Sequence, residues 1–299
     1  NRRAPALHAL KIAAASLEYY SDIFIPYPYR EMDVVEAPLA GVVAGVEYPG
    51  LICLSSSLFR ASEGVGMFAM LAAPPSGDFL TETLEFVTAH EVAHQWWHAI
   101  VGSDSKRHPF VDEALANYSA LLFLEQYRGK DAAERQLFAE CTMQYLLMRA
   151  LGMDDRPVDL PCNAFSNMLE YCVIVYGKGA LFLHALRSEL GTDKFISALR
   201  EYAQAHRFGR ATPEDLINAF AGHAPQPKRV HALAQRWLHE THGDEDIGTA
   251  DISDLMERLF ELIGSDEEAK GLHNALKSLK ELFEQLDKVV GEGEGISGG

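Results

Sequence analysis

His90-Glu91-Val92-Ala93-His94 decides how this chain reads. The stretch lies inside an apolar segment predicted to be helical. Residues four apart share a helical face, so both imidazoles can turn toward a single ion. Glu91 projects about 100° around the helix from His90, where it can reach a water on that ion rather than the ion itself. Tetrahedral zinc suits such imidazole donors, and a carboxylate beside the metal is the base that metal-assisted hydrolysis needs.

A third donor comes from farther along. Eighteen residues separate His94 from Glu113, which opens the next predicted helix, Val111 to Tyr127. The polar loop Ser103–Pro109 between them lets that helix fold back and aim its carboxylate at the ion. Three protein ligands plus solvent is the pattern of a catalytic zinc, whereas a structural zinc is closed by four. The plain alternative makes His90 and His94 ordinary helix residues and Glu113 a carboxylate favoured by a helix N-terminus. It leaves unexplained an acid–base residue between two histidines on an apolar helix. His98 falls on the same face one turn on, about 5.4 Å away, and reads as a decoy. Asp112 and Asn117 are candidates to orient an imidazole, or plain helix-start residues.

Outward from this centre the chain reads as α+β, predominantly α. Apolar spacing predicts a helix from Ala6 to Phe24, ended by Ile25-Pro-Tyr-Pro-Tyr-Arg30. Strands are expected at Met32–Val35 and Leu51–Leu54, the second after the turn Tyr48-Pro49-Gly50. After the loop Pro74–Gly77, Asp78 or Thr81 could cap the metal helix, which is expected to run to Val101 and stop at Gly102. Further helices are expected over Ala132–Leu151, Lys178–Leu190, Asp193–His206 and Pro213–Ala221. Two apolar stripes, Ile252 to Ile263 and Leu272 to Val290, read as a helical hairpin before a disordered tail at Gly291–Gly299. The expected division is therefore a catalytic domain over 1–245 and an acidic helical hairpin over 246–299.

With 299 residues and 48% hydrophobic content, the chain can bury a substantial core. The net charge of -17 argues against nucleic acid as a partner. Sixteen Asp/Glu against five Lys/Arg between Glu240 and Gly299 carry most of that charge, so the region around the motif is only mildly acidic. Cys53, Cys141, Cys162 and Cys172 form no CxxC pair, and buried free thiols are expected, with a Cys162–Cys172 bridge left open. No apolar run approaches the ~18 residues of a membrane span. Arg2 and Arg3 precede no signal-peptide core. The start at Asn1 and the end at Gly298-Gly299 suggest a piece of a longer protein, which leaves the compartment, cytoplasmic or membrane-associated through other parts, open.

The chain resembles the aminopeptidase N (membrane-alanyl aminopeptidase) family of gluzincin zinc peptidases, which also includes leukotriene hydrolase. His90-Glu91-Val92-Ala93-His94-Gln95-Trp96-Trp97 matches that family's metal helix, and Val111-Asp112-Glu113-Ala114-Leu115-Ala116 stands where the family has Asn-Glu-Gly. Gly45-Val46-Glu47-Tyr48-Pro49-Gly50 lies in place of Gly-x-Met-Glu-Asn, with Val46 for methionine and Tyr48 for asparagine. Tyr176-Gly177-Lys178-Gly179-Ala180 resembles Tyr-x-Lys-Gly. The likeness covers about Tyr19 to Leu190 and implies a thermolysin-like catalytic domain with one zinc ion.

By position, the resemblance implies that Glu47 binds a substrate's free α-amino group while the backbone of Gly45 and Val46 pairs with the peptide. It implies that the Tyr176 hydroxyl stabilises the oxyanion, with Tyr171 a weaker second choice; otherwise each is a core tyrosine, and Glu47 a surface residue of a strand edge. It also implies a large β-rich domain ahead of this region and a large helical domain after it, where this chain has the short acidic hairpin. The expected activity is zinc-dependent removal of N-terminal residues from peptides or proteins. The alternatives are an endopeptidase or other zinc hydrolase with the same metal site, or a non-catalytic interaction module carried by the hairpin.

Overall fold

The structure, a computed structural model, describes residues 3–39, 43–59 and 77–249, with side chains in the last segment from residue 81. The loop at Pro74–Ser76, nearly all of the acidic hairpin and its tail lie outside these residues.

Helix α1 (Arg3–Ile23) buries Ala9, Ile12, Ala13, Ser16 and Tyr20, one face at three- and four-residue intervals. Strands β1 (Asp33–Ala37), β2 (Gly45–Tyr48) and β3 (Leu51–Ser55) follow, in the sheet order β1-β3-β2. β1 pairs parallel to β3, and β2 antiparallel to it with Glu47 opposite Ile52. The β2–β3 turn has proline at its second position and Gly50 at its third with φ 77°, a backbone that glycine adopts without steric cost. Ile52 and Leu54 point into the core.

Helix α2 (Gly77–Ala93) carries the metal motif, and α3 (Phe110–Arg128) carries Glu113. α1, α2 and α3 pack into one core. Tyr20 donates its hydroxyl to the Ala89 carbonyl at 3.1 Å. Glu85, fully buried, accepts from the Arg128 Nε and NH2 at 2.7 and 2.6 Å and lies 2.6 Å from the His8 Nε2. A buried carboxylate survives because its oxygens are answered by such a fork.

α2 ends at Ala93, not at Val101 as its apolar continuation suggested. The two indoles after it are drawn apart by tertiary partners. Trp96 Nε1 donates to the Ile25 carbonyl and Trp97 Nε1 to Ser119 Oγ, each at 2.8 Å. The chain then tightens into turns and enters the short strand β4 (Val101–Gly102), parallel to β5 (Gly209–Arg210).

The helix expected over Ala132–Leu151 forms as α4 (Lys130–Leu137), a π-helical turn Phe138–Thr142 and α5 (Met143–Ala150). The one expected from Lys178 begins ten residues earlier: α6 (Met168–Tyr171), a second π-helical turn Cys172–Lys178 and α7 (Gly179–Leu190) run without a break. This 23-residue run is long and apolar enough to cross a membrane, contrary to the reading of the sequence. About two-thirds of its most apolar window (67%) is buried inside the fold, as in a core helix. Helices α8 (Thr192–Ala205) and α9 (Pro213–His223) match their expected positions, while α10 (Pro227–Ala234) and α11 (Gly243–Asp246) carried too short a periodic signal to be expected. All four cysteines are free thiols; only Cys141 is buried, and Cys162 is exposed.

Candidate metal centre

The last turn of α2 with His90, the residue His94 just after it, and the first turn of α3 with Glu113 meet at one point. His94 Nε2 lies 3.1 Å from His90 Nε2 and 3.2 Å from Glu113 Oε2, and His90 Nε2 lies 3.6 Å from the same oxygen. A tetrahedral zinc with donors at ~2.0–2.2 Å sets them roughly 3.3 Å apart, so these separations suit the edges of one coordination tetrahedron. Among the described residues, the buried Glu113 Oε2 faces only the two imidazoles and makes no hydrogen bond of good geometry. A buried unpaired carboxylate oxygen is costly unless a cation answers it, so the donor set fits the ion by spacing and by chemistry.

The early end of α2 helps to build this set. Val101 N donates to the Trp96 carbonyl, which leaves the Trp97 carbonyl out of the helical ladder. His94 Nδ1 donates to it at 3.0 Å. With a proton fixed on Nδ1, Nε2 is the nitrogen left to face the shared space and to serve an ion. His90 has no such partner for Nδ1 among the described residues. Its ring stacks on Tyr176, with centroids 5.7 Å apart and planes at 21°.

The electrostatics follow from burial and mutual charge. Burial disfavours charged His94, but Glu113, Glu47 and Glu91 outweigh it and push its pKa up to about 10. Burial foremost lowers the pKa of His90. Burial also works against ionised Glu113, yet the two histidines hold its carboxyl well below the usual carboxylate range. Burial, reinforced by Glu47 and Glu113 and opposed by His94, pushes the Glu91 carboxyl up to about 8. A carboxyl poised near neutrality can both take and give a proton.

Strand β2 closes one side. A Cβ on Gly45 would stand 2.2 Å from Glu91 Oε1, so any larger residue would push that carboxylate out of this position. Glu47, two residues on, has a carboxylate oxygen within 4.8 Å of donor atoms of Glu91 and His94. Val46 lies between them, opposite Cys53, in a strand whose other edge has no strand neighbour among the described residues.

The opposite side is the π-helical turn with Tyr176. Burial first, then the Glu113 charge and Tyr171, push the Tyr176 phenol well above its ordinary pKa, so it stays a hydrogen-bond donor. Tyr171 meets it edge-on at 5.8 Å. Lys178 is fully buried and donates to Asp155 Oδ1 at 2.6 Å and to the Arg156 carbonyl at 2.8 Å, which pins the turn to the loop below it.

Asp112 and Asn117 touch neither imidazole of the pair. Asp112 Oδ2 accepts from Ser103 Oγ at 3.1 Å and lies 3.2 Å from the His98 Nδ1, while Asn117 Nδ2 donates to the Tyr176 carbonyl at 3.2 Å. His98 is off α2 altogether and turned to Asp112. Gln95 directly follows His94 in the motif. It is fully buried, accepts from Gly50 N at 2.8 Å and donates to the Tyr48 carbonyl at 2.9 Å. A polar amide next to a metal-ligand histidine, in an apolar helix end, was the available signal.

Comparison with known proteins adds to this geometry. A family model described as peptidase family M1 domain matches residues 8–237. Aminopeptidase M1 of Arabidopsis thaliana is 26% identical over 235 residues, which cover 78% of this chain and 25% of that protein. Aminopeptidase Q of Felis catus is 24% identical over 250 residues, 79% of this chain and 24% of its own length. The chain thus spans about a quarter of the length of these relatives. Among solved structures, a mutant M1 zinc metallopeptidase from Deinococcus radiodurans shares the fold with a TM-score of 0.53 at 20% identity, over 76% of this chain and 44% of that one.

Proposed function

The chain belongs to peptidase family M1, and from that premise we propose that it is the catalytic domain of a zinc-dependent aminopeptidase, with His90, His94 and Glu113 as the metal ligands. One observation carries the reading: three donor atoms within reach of one ion, with the Glu91 and Glu47 carboxylates beside them. The ion, when bound, supplies Lewis acidity that makes water a nucleophile near neutral pH. Glu91 takes the proton of the attacking water and delivers it to the leaving nitrogen. Tyr176 donates a hydrogen bond to the oxygen on which charge develops. Glu47 receives the α-ammonium of the substrate, and the Gly45–Val46 backbone at the open edge of β2 holds the peptide extended. Substrates are then peptides or proteins with a free N-terminus. Further domains of the whole protein, a β-rich one ahead of this unit among them, would complete the pocket and set side-chain preference.

The test pairs metal analysis with Glu91→Gln. The variant should keep one zinc per chain and lose about 10²–10⁴-fold in kcat on free-amine peptides. Retained activity would remove Glu91 as the base. Equal hydrolysis of N-acetylated and free-amine peptides by the unaltered chain would replace the exopeptidase reading with an endopeptidase one.

A further inference from the structure

We infer that Gln95 is a positioning residue that sets the distance between the amine-binding strand and the metal helix. The inference rests on the proposed function and deepens it. Gln95 follows His94 directly, and Tyr48 follows Glu47 directly. The Gln95 amide spends its acceptor on Gly50 N and its donor on the Tyr48 carbonyl, at 2.8 and 2.9 Å. It therefore pairs with the β2–β3 turn as a short piece of neighbouring strand would, one N–H and one C=O together. Pro49, between the two contacted residues, has no N–H to offer, so the side chain takes the peptide groups that remain.

The geometry makes this amide a spacer. One end of it is fixed one residue from a proposed zinc ligand, and the other grips the residue next to the proposed amine anchor. β2 has four residues and pairs with β3 alone among the described strands. Its own ladder fixes Glu47 relative to β3, and its placement against α2 is otherwise left to packing such as that of Gly45 on Glu91. The Gln95 bonds supply that second coordinate. Productive geometry tolerates shifts of only about 0.5 Å, so a loosened turn displaces the bound amine from the position that presents the scissile carbonyl to Glu91. His90 is on α2, His94 directly follows it and Glu113 is on α3, so none of the three metal ligands belongs to the β2–β3 turn.

The prediction is a split. In the full chain, Gln95→Met keeps side-chain length and removes the two hydrogen bonds to the turn together with the long one from the Tyr27 hydroxyl at 3.5 Å; Gln95→Glu keeps the acceptor and sets a carboxylate against the Tyr48 carbonyl. Both should retain zinc content and raise KM for free-amine peptides about tenfold or more, the loss expected when buried paired groups are left unanswered. The preference for free-amine over N-acetylated peptides should fall in parallel. A double-mutant cycle separates positioning from general structure: combined with Glu47→Ala, Gln95→Met should add little further loss. Full additivity, unchanged KM, or failure of both variants to fold would overturn the positioning role. If Glu47→Ala itself leaves the free-amine preference intact, the amine-anchor reading fails instead, and that outcome is read from the single variant.

Discussion

The two walls of the cleft are made in opposite ways. On one side is β2, a four-residue strand whose members are all at least partly exposed, set against α2 by an absent side chain at Gly45 and by the Gln95 amide. On the other is the π-helical turn Cys172–Lys178, where Val173, Ile174, Val175, Gly177 and Lys178 are buried in the core. The difference teaches where function and stability are separable. A change on the strand wall acts on placement and spares the core. A change on the helix wall acts on both unless it removes only a group that faces the cleft.

Gly45→Ala should break this contrast most visibly if it is wrong. Its new Cβ would overlap Glu91 Oε1, and the cheapest relief is rotation of the Glu91 side chain away from the reacting water. Displacing the base should cost about 10²–10⁴-fold in kcat, with thermal unfolding and zinc content unchanged. A large fall in melting temperature would show that the strand wall is part of the core after all. Tyr176→Phe probes the helix wall at its one cleft-facing hydroxyl. Stacking on His90 is kept, the donor is lost, and kcat should fall about 10²–10³-fold with KM nearly constant. A loss confined to KM would move Tyr176 from stabilising the transition state to holding substrate.

The same contrast explains what the sequence makes legible. His90, Glu91 and His94 are readable because helical spacing alone brings them to one face, and Glu113 because the loop before it is short. The helices α1, α3, α8 and α9 announce themselves by regular apolar spacing. β2 carries no such signal: Gly45-Val46-Glu47-Tyr48 has no alternation long enough to mark a strand, and Glu47 was reached through resemblance alone. The end of α2 was misplaced because Trp96, Trp97, Ile100 and Val101 continue its apolar character, while their partners Ile25 and Ser119 lie on other elements. The group that orients His94 is the Trp97 carbonyl, and a backbone atom has no residue signature. The sequence offers Asp112 and Asn117 for that task because it displays only side chains. The early start at Met168 did leave a trace, since the Asn167 side chain caps Glu170 N at 2.9 Å.

The smallest expected effect is the sharpest test of the helix wall, because it compares two glycines two residues apart, one in the π-helical turn and one at the start of α7. A Cβ at Gly177 would meet Cys141 and the Glu140 carbonyl at 3.6–3.7 Å, ordinary van der Waals contact. A Cβ at Gly179 would stand 2.7 Å from the Cβ of Ala114, the neighbour of Glu113. Alanine gains about 1 kcal/mol over glycine in an open helical position, while overpacking a tight contact costs about 1–3 kcal/mol. Gly177→Ala should therefore be neutral or slightly stabilising, and Gly179→Ala destabilising by up to about 2 kcal/mol once its propensity gain is counted. Because the clash pushes on α3 one residue from Glu113, Gly179→Ala should also weaken zinc retention against a chelator, and Gly177→Ala should not. Adding Ala114→Gly to Gly179→Ala clears the contact and should restore zinc retention even though it gives back about 1 kcal/mol of helix propensity. Equal melting temperatures for the two alanine variants would mean that α3 and α7 can slide apart freely. The close approach of these helices would then have no part in holding Glu113 toward His90 and His94.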